Sequence, residues 1–147
     1  MILLSRRGHL ALAAVVDIAI HARPLPVAAK ALAARLELPP RHLEALLQGL
    51  VHANILKGVR GPRGGYELAR ERRRITAASV LRAVSSENRG EEAPHCRLVK
   101  QLVAPMVEAA GKAFLDELET ITIDDICRRA EDLKLGDEKS LGADFTI

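Results

Sequence analysis

The run Val59-Arg60-Gly61-Pro62-Arg63-Gly64-Gly65-Tyr66 constrains this chain more than any other stretch. Pro62 has no amide proton and the glycines favour turns, so its centre can be neither helix nor regular strand. The flanks, Ile55-Leu56-Lys57-Gly58 and Tyr66-Glu67-Leu68, set apolar residues around polar ones as short strands do. The segment therefore reads as a two-stranded β-hairpin whose tip holds Arg60 and Arg63 out into solvent, with Gly64 beside them. Phosphates or the narrow minor groove of DNA are natural partners for two arginines on an exposed turn. A solvated loop that merely joins two strands would use the same glycines, so the preceding sequence must decide.

The 147 residues suggest one domain, or a small domain with an appendage. The chain is 48% hydrophobic but only 2% aromatic, so its core is built from Leu, Ala, Val and Ile. Such a core favours helices packed closely through small residues. No apolar run approaches the ~20 residues of a membrane span. The stretch from Leu10 to Ala22 is too short, is interrupted by Asp17, and is followed by no evident cleavage site. Two cysteines, Cys96 and Cys127, fit a reducing cytoplasm without a disulfide framework. Charge is unevenly spread. Met1 to Thr76 carries 13 Lys+Arg against 5 Asp+Glu, whereas Ala77 to Ile147 carries 9 against 14. A basic half points to a polyanion partner. Enzyme chemistry finds little support, because the glycines sit on a hairpin and not before a helix as in nucleotide-binding loops. His9, His21, His42, His52 and His95 form no metal-binding spacing with the cysteines.

Taken in order, the first helix runs to about His21, with Leu12, Val15, Val16, Ala19 and Ile20 on its inner face. Arg6 and Arg7 sit at its amino-terminal end, where the helix dipole disfavours cations unless an anion binds nearby. Arg23-Pro24-Leu25-Pro26 breaks the chain. A second helix is expected over Val27 to Leu36, then a turn at Glu37-Leu38-Pro39-Pro40. The third, about 40–53, buries Leu43, Leu46, Leu47 and Leu50. Its outer face carries Arg41, Glu44, Ala45, Gln48 and His52, with His42 at the margin. Arg can read guanine, Gln adenine, and Glu the cytosine amino group. Helix, turn, helix and hairpin make a mainly α winged helix-turn-helix, with the third helix for the major groove and wing 59–66 for the backbone or minor groove. A winged-helix adaptor that docks a protein is the alternative; it would have a less polar third helix and a less basic wing.

After the wing, the arginines between Arg70 and Arg74 can face phosphate or water equally well. Thr76 can cap a helix over Ala77 to about Val84. This gives a binding module at 1–84, a loop at 85–96, dimerisation helices at 97–133 and a loose tail at 134–147. The long helix, Arg97 to about Leu118, has one stripe of Val99, Val103, Met106, Ala110, Ala113 and Phe114 and a second of Leu98, Leu102, Ala109 and Leu118. That is too much apolar surface for one neighbour, so a second subunit should share it. Pro105 should kink or split it. Thr122 and Asp125 have capping-box spacing for a last helix, Ile123 to about Leu133.

The chain resembles the IscR/NsrR/CymR-type bacterial transcription regulators. The resemblance rests on Arg7-Gly8-His9-Leu10-Ala11-Leu12, on Leu38-Pro39-Pro40-Arg41-His42-Leu43-Glu44, on the run from Val59 to Arg70, on Ile75-Thr76, and on Thr122-Ile123-Asp124-Asp125-Ile126. It implies a dimer on a palindromic DNA operator; with the cysteine usage and the shared long helix, the expectation is a cytoplasmic homodimer that acts as a repressor. It further implies that Arg41, His42 and Glu44 lie in the major groove and the wing tip in the minor groove. Members often have a small residue where Arg63 stands. Many relatives hold an iron–sulfur cluster with three cysteines in the loop before the long helix; only Cys96 matches here, so no cofactor is expected. A thiol switch at Cys96, an inert thiol there, and a small-molecule or protein effector remain open for the sensing side.

Overall fold

The computed structural model describes residues 5–85 and 96–135. Helix α1 (Arg6–His21) is its centre: α2, α3, α4, α6 and the second wing strand all pack on it. Ser5 caps it, its hydroxyl accepting the Gly8 amide at 3.1 Å. Ala11, Ala14, Val15 and Ile18 are sealed from solvent. Short side chains let neighbours approach α1 from several sides at once. The expected inner face is therefore rotated: Val15 and Ala19 are buried, but Leu12, Val16 and Ile20 are only half-buried.

Helix α2 (Ala29–Arg35) begins two residues later than expected, because Val27 is held in a β-bridge. It ends when Leu38 donates to Ala33 at 3.0 Å and Glu37 donates to Ala34 at 3.3 Å, with Glu37 at φ 53. Helix α3 (Pro40–His52) ends the same way, through Ile55 to Leu50 and Asn54 to Val51, each 3.0 Å, with Asn54 at φ 61. Both are Schellman stops built on a left-handed residue. They set the turn of the helix-turn-helix and the entry into the wing. Leu43, Leu46, Leu47 and Leu50 are buried, as their spacing requires.

Strands β1 (Leu56–Val59) and β2 (Gly65–Leu68) pair antiparallel, Leu56 opposite Leu68 and Val59 opposite Gly65. Helix α4 (Ala77–Ser85) starts at Thr76, whose hydroxyl accepts the Ser79 amide at 3.1 Å while the Ser79 hydroxyl accepts the Thr76 amide at 3.2 Å.

The long helix is continuous through Pro105. A π-helical turn at Val99–Val103 leads into α5 (Ala104–Glu119). The proline ring would clash with the carbonyl of Gln101, and a widened turn moves that carbonyl away. Phe114, Leu115 and Leu118 are half-buried, and α5 packs on α4. The first half is bare: Leu98 is 64% exposed, Leu102 53%, Met106 64% and Val107 59%.

Helix α6 (Ile123–Asp132) opens with the expected capping box, Asp125 N–H to the Thr122 hydroxyl at 3.1 Å and Thr122 N–H to the Asp125 carboxylate at 3.0 Å. It returns to α1, and Ile123 and Cys127 are sealed in the same core. Ile123 donates to Ile75 and Ala77 to Ile121, both at 2.8 Å, stitching the start of α6 to the start of α4. The loop expected at 85–96, apart from Ser85 and Cys96, and the tail from 136 lie outside the described residues.

The buried carboxylate of Asp124 holds this junction. It binds Arg72 at 2.8 Å through one oxygen and Arg128 at 3.1 Å through the other, while its own amide donates to the Arg72 carbonyl at 3.0 Å. Removing one partner of a buried pair strands the other charge. Asp124→Ala should therefore lower the unfolding free energy by about 2–3 kcal/mol, less than a fully buried pair because Arg72 and Arg128 keep some solvent. Urea denaturation followed by circular dichroism checks this.

Candidate nucleic-acid interface

Five polar side chains, Arg41, His42, Glu44, Gln48 and His52, are exposed along the outside of α3. Their opposite face is the buried leucine ridge, so the helix cannot rotate them away without exposing the core. Pro39 and Pro40 place the start of α3 without a side-chain cap, and the His42 amide donates to the Pro39 carbonyl at 3.1 Å.

The wing stands beside α3, which packs on β1. Its tip is closed by the Gly64 amide donating to the Gly61 carbonyl at 2.9 Å, with Gly61 at φ 117. That conformation favours glycine. Arg60, Pro62 and Arg63 are exposed on this turn. Gly64 and Gly65 are required for a different reason: a Cβ on Gly64 would strike the Val59 carbonyl, and one on Gly65 would strike the Val27 carbonyl. Lys57 and Glu67, directly opposed across the strands, pair at 3.0 Å.

Sequence reasoning missed the anchor of the wing. Val27 and Tyr66 exchange backbone hydrogen bonds, Val27 N–H to Tyr66 O at 2.9 Å and Tyr66 N–H to Val27 O at 2.8 Å. Val27 thus acts as a short third strand between α1 and α2. A β-branched residue directly after Pro26 was the available signal.

The arginines after the wing divide. Arg70 donates to the Asn54 carbonyl at 3.2 Å, at the end of α3, and Arg72 belongs to the Asp124 clamp. Arg73 and Arg74 are exposed. Arg7 is half-buried in the first turn of α1. The other end of α1, at Ile18, Ala19 and Ala22, meets the base of the wing around Leu68. The structure therefore groups Arg41, His42, Glu44 and Gln48 with the neighbouring wing, and sets Arg7 apart.

Cys96 is exposed at the start of the long helix, and Cys127 is sealed in the core. Burial pushes the Cys127 thiol up from its ordinary value, and the neighbouring Arg72 offsets this only in part. Among the described residues no group of three or more His, Cys, Asp or Glu side chains can hold a metal ion. A protein-held iron–sulfur cluster needs several thiolate or equivalent ligands within reach. One exposed thiol and one buried, protonated thiol do not fit that requirement.

An exposed polar helix, a turn from a short preceding helix and an arginine-tipped wing define a winged helix-turn-helix DNA-binding fold. Comparison with known proteins gives the family. The Rrf2 model, described as an iron-dependent transcriptional regulator, matches residues 4–129. The chain belongs to this family of transcriptional regulators. It is 30% identical over 132 residues to the protein rrf2 of Nitratidesulfovibrio vulgaris, covering 86% of this chain and 88% of that one. It is 26% identical over 150 residues to the HTH-type transcriptional regulator IscR of Vibrio parahaemolyticus, covering 97% and 88% respectively. Among solved structures, T. potens IscR superposes with a TM-score of 0.72 at 29% identity, covering 94% of this chain and 95% of that one. No helix among the described residues is long and apolar enough to cross a membrane.

The Val27 anchor can be broken by one methyl group. Gly65→Ala should cost about 1–3 kcal/mol, because backbone must move to admit the new Cβ. Gly58→Ala is the matched control, since a Cβ there meets nothing within 4 Å. Urea melts of the two variants should separate cleanly.

Proposed function

We propose that this chain works as a cytoplasmic homodimer that binds a palindromic DNA operator and represses transcription. The observation that carries this is the pairing of one exposed polar face on α3 with an arginine-tipped wing next to it. Module 1–84 binds one half-site, with α3 in the major groove and wing tip 59–66 in the minor groove. Arg41, His42, Glu44 and Gln48 read base edges. Arg60 and Arg63 supply affinity, and Gly64 brings the backbone close to the sugar-phosphate edge. Arg7 contributes a separate phosphate contact. Segment 97–133 joins the two modules, so that half-sites recur about one DNA turn, ~34 Å, apart. The bare apolar first half of the long helix supports the dimer. Regulation works without a cluster held by this chain's cysteines, through an effector or partner.

The operator is found by selecting bound duplexes from a random pool, and affinities then follow from fluorescence anisotropy. Replacing Arg60 and Arg63 together by Ala should weaken binding on every sequence alike. It should also reduce the slope of log affinity against log salt by about 4, as the dimer loses two arginines from each of its two wings. Undiminished affinity in this double variant would sink the wing assignment.

Gln48→Ala should behave differently. It should cost about 1–3 kcal/mol per half-site on the preferred operator and much less on operators altered at the contacted base pair of both half-sites. An equal loss on every operator variant would mean that α3 lies on the backbone instead of reading bases.

A further inference from the structure

A second basic surface lies behind the wing. Arg23 and Arg70 line a polar cleft of about 270 Å³ between the end of α1 and the base of β2, together with Glu67, Glu71 and Arg72. Arg73 and Arg74 follow directly in the chain. Arg23, Arg70, Arg73 and Arg74 are all exposed. Of the carboxylates that line the cleft, Glu67 pairs with Lys57 at 3.0 Å. Arg72 is neutralised by Asp124 at 2.8 Å. Glu71 is left to face the four exposed arginines. Their segment is also held in place. The Ala69 amide donates to the Ile55 carbonyl at 2.9 Å, and the Arg70 side chain donates to the Asn54 carbonyl at 3.2 Å. The Arg74 amide closes a turn onto the Glu71 carbonyl at 2.8 Å, and Ile75 is sealed in the core. Arg73 and Arg74 therefore project from a turn anchored on both sides, by Arg72 and by Ile75.

We infer that this surface grips duplex DNA outside the half-site, on the flank beyond the wing. This rests on the DNA-binding reading above and lengthens its footprint. Like charges fixed close together repel, and a polyanion relieves that repulsion. Guanidinium groups on an exposed turn suit phosphate oxygens, and such contacts carry no base preference of their own. Duplex DNA is the polyanion because the surface continues from elements assigned to the duplex: β2 runs into it, and Arg70 is bonded to the end of α3. Arg74 lies six residues beyond Leu68, the end of β2. Six residues span at most ~20 Å, and base pairs rise ~3.4 Å each, so the added contacts end within about 6 base pairs of those of the wing.

Flank length reads this directly. The selected operator is prepared with bare ends, and with about 6 or about 12 base pairs of arbitrary sequence on each side, and affinities are measured by fluorescence anisotropy at several salt concentrations. At low salt, wild-type affinity should rise about 10-fold or more from the bare operator to the shorter flanks and then level off. The full-length variant Arg23→Gln, Arg73→Gln, Arg74→Gln removes three exposed charges per protomer and leaves Arg70 on the end of α3. Circular dichroism checks that it is folded. It should bind the bare operator within about 2-fold of wild type and gain nothing from the flanks, with a salt slope on the flanked duplex lower by up to about 5 for the six arginines lost by a dimer. The same three positions changed to Lys keep the charge and should keep most of the flank gain.

A wild-type affinity that ignores flank length, or a Gln variant that keeps the flank gain, would overturn the proposal. An equal loss on all three duplexes would overturn it too, because the arginines would then act on the operator itself or on the fold. A wild-type chain that binds no duplex at all would instead overturn the DNA-binding reading, so the two failures are distinguishable.

Discussion

The wing depends on the two backbone hydrogen bonds between Val27 and Tyr66. A hairpin of two four-residue strands is marginal on its own in water. Here it gains a third partner from the segment before α2, and Ile55 and Leu56 anchor its first strand in the core. The clamp has one steric condition, which is that residue 65 carries no side chain. Because Val27 leads directly into α2, the same bonds fix the wing relative to the helix-turn-helix. The position of Arg60 and Arg63 beside α3 follows from that clamp, and a slack hairpin would spread the two arginines over many geometries.

Much of this was legible in the sequence, for identifiable reasons. The leucine spacing of α3 placed its polar face correctly, because one ridge of four large residues admits only one orientation. The glycine-proline turn marked the wing, because few other conformations accept that order of residues. Thr122 and Asp125 marked the start of α6 through a local, reciprocal hydrogen-bond pattern. What failed was non-local. The buried side of α1 was misjudged because alanines count for little in a hydrophobic pattern, yet Ala11 and Ala14 are what allow that helix to be surrounded. Arg70 and Arg72 look like any other basic residues until their partners, Asn54 and Asp124, are brought to them from 16 and 52 positions away. Pro105 pointed to a disturbance, but the form it takes, a π turn just upstream, depends on where the helix can widen.

The sensing side is constrained by the thiols. The family to which the chain belongs is described by iron dependence. Ligand chemistry asks for thiolates that are deprotonated and near one another. Cys127 lies on the buried face of α6, and burial pushes its thiol up from its ordinary value. Its role is that of a small core residue packed near the Asp124 clamp. The chain thus has the winged-helix architecture of its family with two cysteines, one exposed and one sealed in the core.

The same clamp ties the α1–α6 side of the molecule to its wing. Asp124 sits at the start of α6, whose Ile126 and Ala130 line the α1–α6 groove. Arg72, which it holds, follows the end of β2 by four residues. Groove, α6, Asp124, Arg72 and wing therefore form one short series of packed or hydrogen-bonded steps, with α1 behind all of them. A winged helix-turn-helix works only while its third helix and its wing keep a fixed relation to one another. Helices α1 and α6 belong to the same core that orients α3 and the wing. That relation is set by packed side chains and by one buried carboxylate, Asp124.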